Sequence, residues 1–327
     1  MIPYQPPHAA QEIPVIDLTD SYSDDLEKRK KIAWEIHKTC RDTGFFYVKN
    51  HTIPQEMMDN HLELAAKFFN LPTEEKKALD SANEDFTRGY EAMAAQVLDE
   101  GSPPDLKEGF MSSVDADENH RYTKLNVPGT GRNQWPASFP EFKDQYEAYV
   151  NKALELGRHL AQMLALSLEL PEDYFDQCLE EPLHYGRILK YPPHPKDAAP
   201  NQLGAGAHTD WGLLTILLQD QNGGLEVQNA DGDWISAPPI PGTYIINLGE
   251  MVPVITNGLY KATPHRVLNN TSGNTRYSAP VFCDPEYFYK VKCAETCLPE
   301  SGEPDYPEMT AGEHLRSMFE KTLGASA

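Results

Sequence analysis

The chain has 327 residues, with 28 lysines and arginines against 50 aspartates and glutamates, and its formal net charge of −22 repels phosphate backbones and anionic membranes. It has neither the basic start and apolar core of a secretory signal nor an apolar stretch near the roughly 20 residues that cross a bilayer. We therefore expect a soluble protein that binds neither nucleic acid nor membrane, folded as a single domain over residues 1–327.

The five cysteines are an odd number scattered along the chain. This usage argues against a disulfide framework and favours a reducing compartment, so we expect a cytoplasmic location. Cys293 and Cys297 form a Cys-x-x-x-Cys pair, but no second pair of ligands flanks them, so we do not expect structural zinc.

Helical and extended segments alternate in the N-terminal region, residues 1–135. Apolar spacing predicts helices over residues 24–40 and 54–69, with a strand at 45–49 between them. Residues 83–132 are rich in Gly, Pro, Asp and Asn and have weak periodicity. We expect loops and short strands there, at the rim of a pocket.

A long supporting helix is predicted over residues 141–168, where apolar side chains repeat at helical spacing. Beyond residue 183, short strands alternate with turn signals such as Asp231-Gly232-Asp233, which is typical of a double-sheet jelly roll. A capping box at Thr310 predicts a last helix through residue 323. The expected fold is mainly β with flanking helices, and its double-stranded β-helix (jelly-roll) core spans residues 183–290.

The most informative motif is His208-Thr209-Asp210. Along a strand or its extended end, side chains two residues apart point the same way, so both ligands would face one metal. His265 lies too far downstream for local structure and must come from another strand. Two imidazoles and one carboxylate on one face leave the opposite positions open, which favours Fe(II) over a closed structural zinc site.

The other histidines considered lack this arrangement. His61 and Glu63 share the same spacing, but their segment has helical period, which turns the pair to different faces. We expect structural or solvent-exposed roles for this pair and for His8, His37, His51, His120, His159, His184 and His194.

Arg276 and Ser278 follow His265, and strand alternation puts the guanidinium and the hydroxyl on one face. A planar Arg fork beside a hydroxyl fits a carboxylate. The position just after the third ligand makes this short motif informative.

Taken together, these motifs make the chain similar to the isopenicillin N synthase-like iron(II)/2-oxoglutarate-dependent dioxygenases. The similarity runs in order from about residue 13 to the C-terminal region, so coincidence is implausible. The segments that carry it are 13–18, 42–51, 67–72, 88–90, 103–110, 189–193, 208–210, 223–227, 247–250, 265–267 and 276–278.

The resemblance implies that His208, Asp210 and His265 bind Fe(II) and form the catalytic centre. It also implies that Arg276 and Ser278 hold the distal carboxylate of 2-oxoglutarate, with a hydrogen bond from Tyr191. Enzymes of this family use molecular oxygen and convert 2-oxoglutarate to succinate while a bound substrate is oxidised. We expect hydroxylation, desaturation or ring rearrangement of a small metabolite, in secondary metabolism.

Arg187, Leu189 and Tyr191 alternate along one apparent strand, so Arg187 should face the interior with Tyr191. A buried guanidinium needs a partner. Two interpretations stay open: an ion pair with one of the many carboxylates, or a substrate anchor for an anionic or phenolic group that could also help to place 2-oxoglutarate.

Two other classes remain as alternatives. One is an iron oxidase that does not use 2-oxoglutarate, as isopenicillin N synthase itself does not, because that enzyme type also retains Arg-x-Ser. The other is a non-catalytic binding protein on the same fold. The segment 223–227 looks more like the 2-oxoglutarate users, and the complete ligand set argues against a mere binding protein.

Overall fold

Two main β-sheets, a separate pair of short strands and a layer of helices build the fold. The computed structural model describes residues 4–6, 8–84, 88–99, 101–195, 199 and 201–323. The strands are β1 (Val15–Asp17), β2 (Phe45–Lys49), β3 (Gly89–Glu91), β4 (Glu108–Ser112), β5 (Leu183–Tyr191), β6 (Ala205–His208), β7 (Leu214–Gln219), β8 (Leu225–Gln228), β9 (Trp234–Ser236), β10 (Tyr244–Leu248), β11 (His265–Val267), β12 (Arg276–Asp284), β13 (Lys290–Val291) and β14 (Met309–Thr310). The helices are α1 (Leu26–Asp42), α2 (Gln55–Phe69), α3 (Thr73–Lys77), α4 (Arg121–Lys124), α5 (Glu141–Ser167), α6 (Met251–Ile255) and α7 (Ala311–Leu323).

The strands β5 to β12 make the predicted jelly-roll core. The large sheet has the order β1-β2-β10-β7-β12-β5-β4-β3, and the small sheet has the order β6-β11-β8-β9. Every pairing in these two sheets is antiparallel except that of β1 with β2. The N-terminal strands therefore extend both edges of the large sheet.

Each face of the large sheet buries a separate apolar cluster, and β2 contributes to both. Phe46 and Val48 belong to the cluster that contains the helices, whereas Phe45 and Tyr47 belong to the one between the two sheets. Side chains alternate along a strand, so a strand buried on both faces is apolar throughout. The space between the sheets is where the candidate site lies.

The predicted helices form close to their expected ends. α1 begins at Leu26 after Asp25, whose carboxylate accepts a hydrogen bond from the backbone N–H of Glu27, as N-cap residues do. α2 and α5 match residues 54–69 and 141–168 to within one residue at each end. The predicted last helix is α7, and the weakly periodic segment 83–132 contains β3 and β4. No helix within the described ranges is long and apolar enough to span a membrane.

The helix α5 lies directly against the large sheet because Gly157 has no side chain. A Cβ atom there would be 2.8 Å from Cys283 Sγ on β12 and 3.3 Å from Ile216 Cδ1 on β7. Any larger residue would push the helix off the strands that carry the site.

Candidate metal centre and adjoining cavities

Two neighbouring strands of the small sheet bring the predicted ligands together. β6 ends at His208, β11 begins at His265, and these residues face each other in the antiparallel register. Asp210 lies two residues beyond the end of β6. The expectation that the second histidine arrives on another strand is confirmed, and that strand is the direct neighbour of the first.

The three side chains converge on one point. Asp210 Oδ1 is 3.8 Å from His208 Nε2 and 3.7 Å from His265 Nε2, and the potential ligand atoms lie within 4.8 Å of one another. Within the described ranges, this is the one cluster of three or more His, Cys, Asp or Glu side chains with metal-binding geometry. Nitrogen and oxygen ligands on one side of a point suit a divalent transition metal with open positions.

The atoms that do not point to this centre are engaged elsewhere. His208 Nδ1 is 2.8 Å from the Gly206 carbonyl, and His265 Nδ1 is 3.2 Å from the Thr263 carbonyl. An Nδ1–H donated to these oxygens leaves each Nε2 lone pair for a metal.

Asp210 is held in the same way. Its Oδ2 accepts hydrogen bonds from Thr215 Oγ1 at 2.5 Å and from Asn247 Nδ2 at 2.6 Å. Oδ1 is left for the centre, so the carboxylate is oriented as a monodentate ligand before any metal arrives.

Burial and charge keep these groups in the forms that bind metals. Burial, reinforced by the adjacent His265, lowers the pKa of His208 to about 3, so its imidazole is neutral at physiological pH. Burial by itself raises the pKa of the Asp210 carboxyl. The two imidazoles and the hydrogen bonds from Asn247 and Thr215 outweigh it, and the pKa lies below its usual value. A neutral imidazole and a carboxylate need lose no proton on binding a metal.

A cavity of about 70 Å³ extends from this centre between the two sheets. Arg276 is 1% exposed and lines the cavity. Its Nη2 donates to Gln219 Oε1 at 3.3 Å, while Nε and Nη1 are buried without a hydrogen-bond partner. A buried guanidinium with unpaired donors is costly, and an anionic ligand in the cavity would pair them.

The other predicted anchors lie beside Arg276. Ser278 is on the same strand and lines the same cavity. Tyr191 is opposite Arg276 in the β5–β12 register, and the guanidinium carbon lies 4.7 Å from the centre of its ring. The contact between Tyr191 and Arg276 is therefore a cation–π contact, which the sequence did not predict.

Arg187 faces the interior as expected, and Nη2 forms a short ion pair with Glu91 on β3. The structure therefore contains the ion pair with a carboxylate that the first interpretation of Arg187 predicted. Arg187 still lines the cavity, and its Nε is buried without a hydrogen-bond partner.

A second cavity of about 60 Å³ adjoins the centre. It shares Leu98, Arg187, His208, Asp210 and Phe282 with the first. Its remaining walls are Glu91, Gln96, Met111, Tyr185, Trp211, Gly212, Asp284, Leu315 and Phe319.

Sequence analysis missed most of these walls. Glu91 directly follows the Arg88-Gly89-Tyr90 segment, which was a usable signal. Leu315 and Phe319 come from α7. The periodicity of a terminal helix does not predict which cavity the helix will pack against. His314 on the same helix also escaped attention; its Nε2 is 3.3 Å from Glu250 Oε2, and Glu250 Oε1 accepts from Thr209 Oγ1.

The alternative ligand groups do not assemble. His61 is buried and Glu63 is exposed on α2, so the second His-x-Glu pair points to two faces as predicted. All five cysteines lie in the described part of the chain and none forms a disulfide.

Comparisons with known proteins agree with this geometry. A protein-family model described as the 2OG-Fe(II) oxygenase superfamily matches residues 182–285. A second, described as the N-terminal part of non-haem dioxygenases in morphine synthesis, matches residues 13–138. The chain belongs to the Fe(II)- and 2-oxoglutarate-dependent dioxygenases.

Individual relatives match nearly the full length. A 2-oxoglutarate-Fe(II) type oxidoreductase of Emericella nidulans is 35% identical over 95% of this chain and 90% of its own. The crystal structure of a full-length Neurospora crassa protein in complex with alpha-KG and thymine has a TM-score of 0.84 and 26% identity, covering 96% of this chain and 97% of its own. A putative 2OG-Fe(II) oxygenase family protein of Caulobacter crescentus has a TM-score of 0.83 and 29% identity, covering 95% and 99%.

Proposed function

We propose that this dioxygenase hydroxylates, desaturates or rearranges a small metabolite of secondary metabolism at the centre formed by His208, Asp210 and His265. The observation that carries the proposal is the convergence of these three side chains where two cavities adjoin, with His208 and Asp210 in the walls of both. One cavity suits the co-substrate and the other suits the substrate.

The donor set fits Fe(II). Each imidazole presents one nitrogen, the carboxylate presents one oxygen, and the remaining atoms are tied to the protein. When bound there, the iron and molecular oxygen supply the oxidising power. The protein ligands keep one side of the metal occupied and leave the other side to small molecules.

Arg276 would hold the distal carboxylate of 2-oxoglutarate. Its Nε and Nη1 are unpaired donors, and a carboxylate accepts charge-assisted hydrogen bonds from such groups. Ser278 and Tyr191 would add neutral hydrogen bonds, and Gln219 keeps the guanidinium in place through Nη2. These residues orient the co-substrate and exclude water from around it.

Arg187 would belong to the substrate side. Because Glu91 already pairs with it, a purely anionic substrate would have to compete with that carboxylate. We propose that the ion pair as a unit forms a polar edge of the substrate cavity.

A direct test is the release of succinate from 2-oxoglutarate with Fe(II) and oxygen, with and without candidate metabolites. Stoichiometric succinate supports the proposal. Oxygen consumption that continues without 2-oxoglutarate would instead indicate the oxidase type, and the absence of both would indicate a binding protein. Relatives named as 2-oxoglutarate-Fe(II) type oxidoreductases do not favour these alternatives.

The small-molecule substrate agrees with the family. The expectations that the chain avoids nucleic acid and membranes rest on its charge of −22, and the expectation of a cytoplasmic location rests on its unpaired cysteines.

A further inference from the structure

Aromatic rings line part of the substrate cavity. Phe319 on α7 lies with its ring centre 5.1 Å from that of Tyr185 and 5.1 Å from that of Trp211, and the latter pair is edge to face at 82°. Phe282 completes this wall. Flat, polarisable walls of this kind favour a planar ring as the occupant.

Other residues of the cavity wall carry polar groups with unmet hydrogen-bonding capacity. Gln96 is 5% exposed, lines the cavity, and its Oε1 has no hydrogen-bond partner. Arg187 Nε is a buried donor in the same state. Buried polar groups cost free energy until they are paired, so a ligand that offers both a donor and an acceptor would satisfy this edge.

The opposite charges of Glu91 and Arg187 on the polar edge compensate each other. Glu91 and Arg187 form an ion pair with both side chains largely buried. Burial raises the pKa of Asp284, another wall residue, to about 7, and its Oδ1 accepts from the backbone N–H of Leu213. A substrate with a full charge would have to displace one partner of the buried ion pair, which is expensive.

Resting on the proposed function, we infer that the substrate is an uncharged planar ring with an N–H beside a carbonyl, as in a cyclic amide or imide. The ring lies against Trp211 and Phe319, and the amide edge meets Gln96 and the Glu91–Arg187 pair. Neutral heterocycles are thereby preferred over carboxylates and over guanidinium compounds.

The binding test uses the enzyme loaded with Fe(II) and 2-oxoglutarate under anaerobic conditions. Calorimetry compares three uncharged amides (uracil, 2-pyridone and hypoxanthine) with 1,3-dimethyluracil, benzoate and L-homoarginine. At least one amide should bind about tenfold more tightly than either charged compound, and dimethylation of uracil should cost about tenfold because no N–H remains. Tighter binding of benzoate or homoarginine than of every amide, or no binding of any amide, would overturn the inference.

Variants locate the contact. Gln96→Met keeps the length of the side chain but removes the amide, and it should weaken binding of the best amide about five- to tenfold. Gln145→Leu, at an exposed position of α5, should change nothing. Unchanged affinity in Gln96→Met contradicts the assignment of this edge.

Glu91→Gln gives a readout that a purely structural role would not move. It leaves Arg187 with an uncompensated charge, so affinity for benzoate should rise about tenfold while affinity for the amides falls. An unaltered preference between benzoate and the amides would show that the ion pair does not set specificity.

Failure of the proposed function and failure of the inferred ligand class give different results. If no succinate forms with any compound but the amides still bind, the proposed function is wrong and the inferred ligand class stands. If succinate forms and only charged compounds stimulate it, the proposed function stands and the ligand class is wrong.

Discussion

At the scale of single residues, the candidate metal centre depends on atoms that never touch the metal. Thr215 and Asn247 fix one oxygen of Asp210, and two backbone carbonyls fix the imidazole rings. Ligands held in this way lose little conformational freedom when a metal binds, because that entropy was lost on folding.

Replacement of His208, Asp210 or His265 by Ala should abolish turnover and weaken iron binding, because each change removes one of three protein ligands. Iron content after anaerobic loading and succinate formation are the measurements. His194→Ala, at an exposed position, is the matched control. Normal iron affinity and activity in all three variants would refute the site.

Arg276→Ala should raise the requirement for 2-oxoglutarate most, with a loss of roughly 2–5 kcal/mol for a buried charged pair. Ser278→Ala and Tyr191→Phe should cost about 0.5–1.5 kcal/mol each as neutral donors, and about twice that to a charged acceptor. The KM for 2-oxoglutarate across the three variants gives the ranking. If Arg276→Ala left it unchanged but damaged binding of the main substrate, the oxidase alternative would gain.

Arg187→Leu should keep iron binding but lose substrate oxidation, while some 2-oxoglutarate is still consumed without product. It also leaves Glu91 buried and unpaired, which destabilises by about 3–5 kcal/mol. The double variant Arg187→Leu/Glu91→Leu removes both charges and should recover much of the thermal stability but not the coupling. Coupled turnover equal to that of the unaltered enzyme would dispose of a substrate role for Arg187.

At the scale of elements, the periodicity of apolar residues predicted the helices and strands whose formation depends on residues close in sequence. The bounds of α1, α2 and α5 follow from one apolar stripe each, and β2 follows from an apolar run between turns. β3 was not delimited, because three residues carry no periodicity and its place depends on pairing with β4. The ion pair between Glu91 and Arg187 was beyond reach for the same reason: an acidic chain offers many partners and only tertiary structure selects one.

The packing of α2 on α5 should make stability depend on pH through His61. This ring stacks on Tyr149 with centres 3.6 Å apart, and burial lowers its pKa from 6.5 to about 3. Below pH 6.5 the imidazole of His61 binds a proton in the unfolded chain but stays neutral in the folded chain. The free energy of unfolding therefore falls as the pH drops. The contribution is about 2 kcal/mol between about pH 7.5 and about pH 5.

His61→Phe should remove that component and flatten the pH dependence of the free energy of unfolding. Urea denaturation of the metal-free protein at both pH values measures it. A pH dependence as steep as that of the unsubstituted chain would mean that other groups account for it.

At the scale of the whole molecule, the prediction of a single domain can be tested through the pairing of strands in the large sheet. β2 is hydrogen-bonded to β10, and β4 to β5, so residues 1–135 supply strands to the core that carries the metal centre. We expect one cooperative transition in calorimetry. Separate melting of the N-terminal region would show two units.

The position of the metal ligands depends on the register of the paired strands and not on the length of the loops. His265 faces His208 across β11 and β6, while Val227 on β8 holds the other side of His265. A slip of one residue in β11 would turn the imidazole through the sheet to the opposite face, although every apolar strand would still find a neighbour. Extra residues at the exposed turn around Gly232, between β8 and β9, should therefore spare iron binding. A single deletion inside β11 should erase it, which makes this centre robust to insertion and fragile to a shift of one strand.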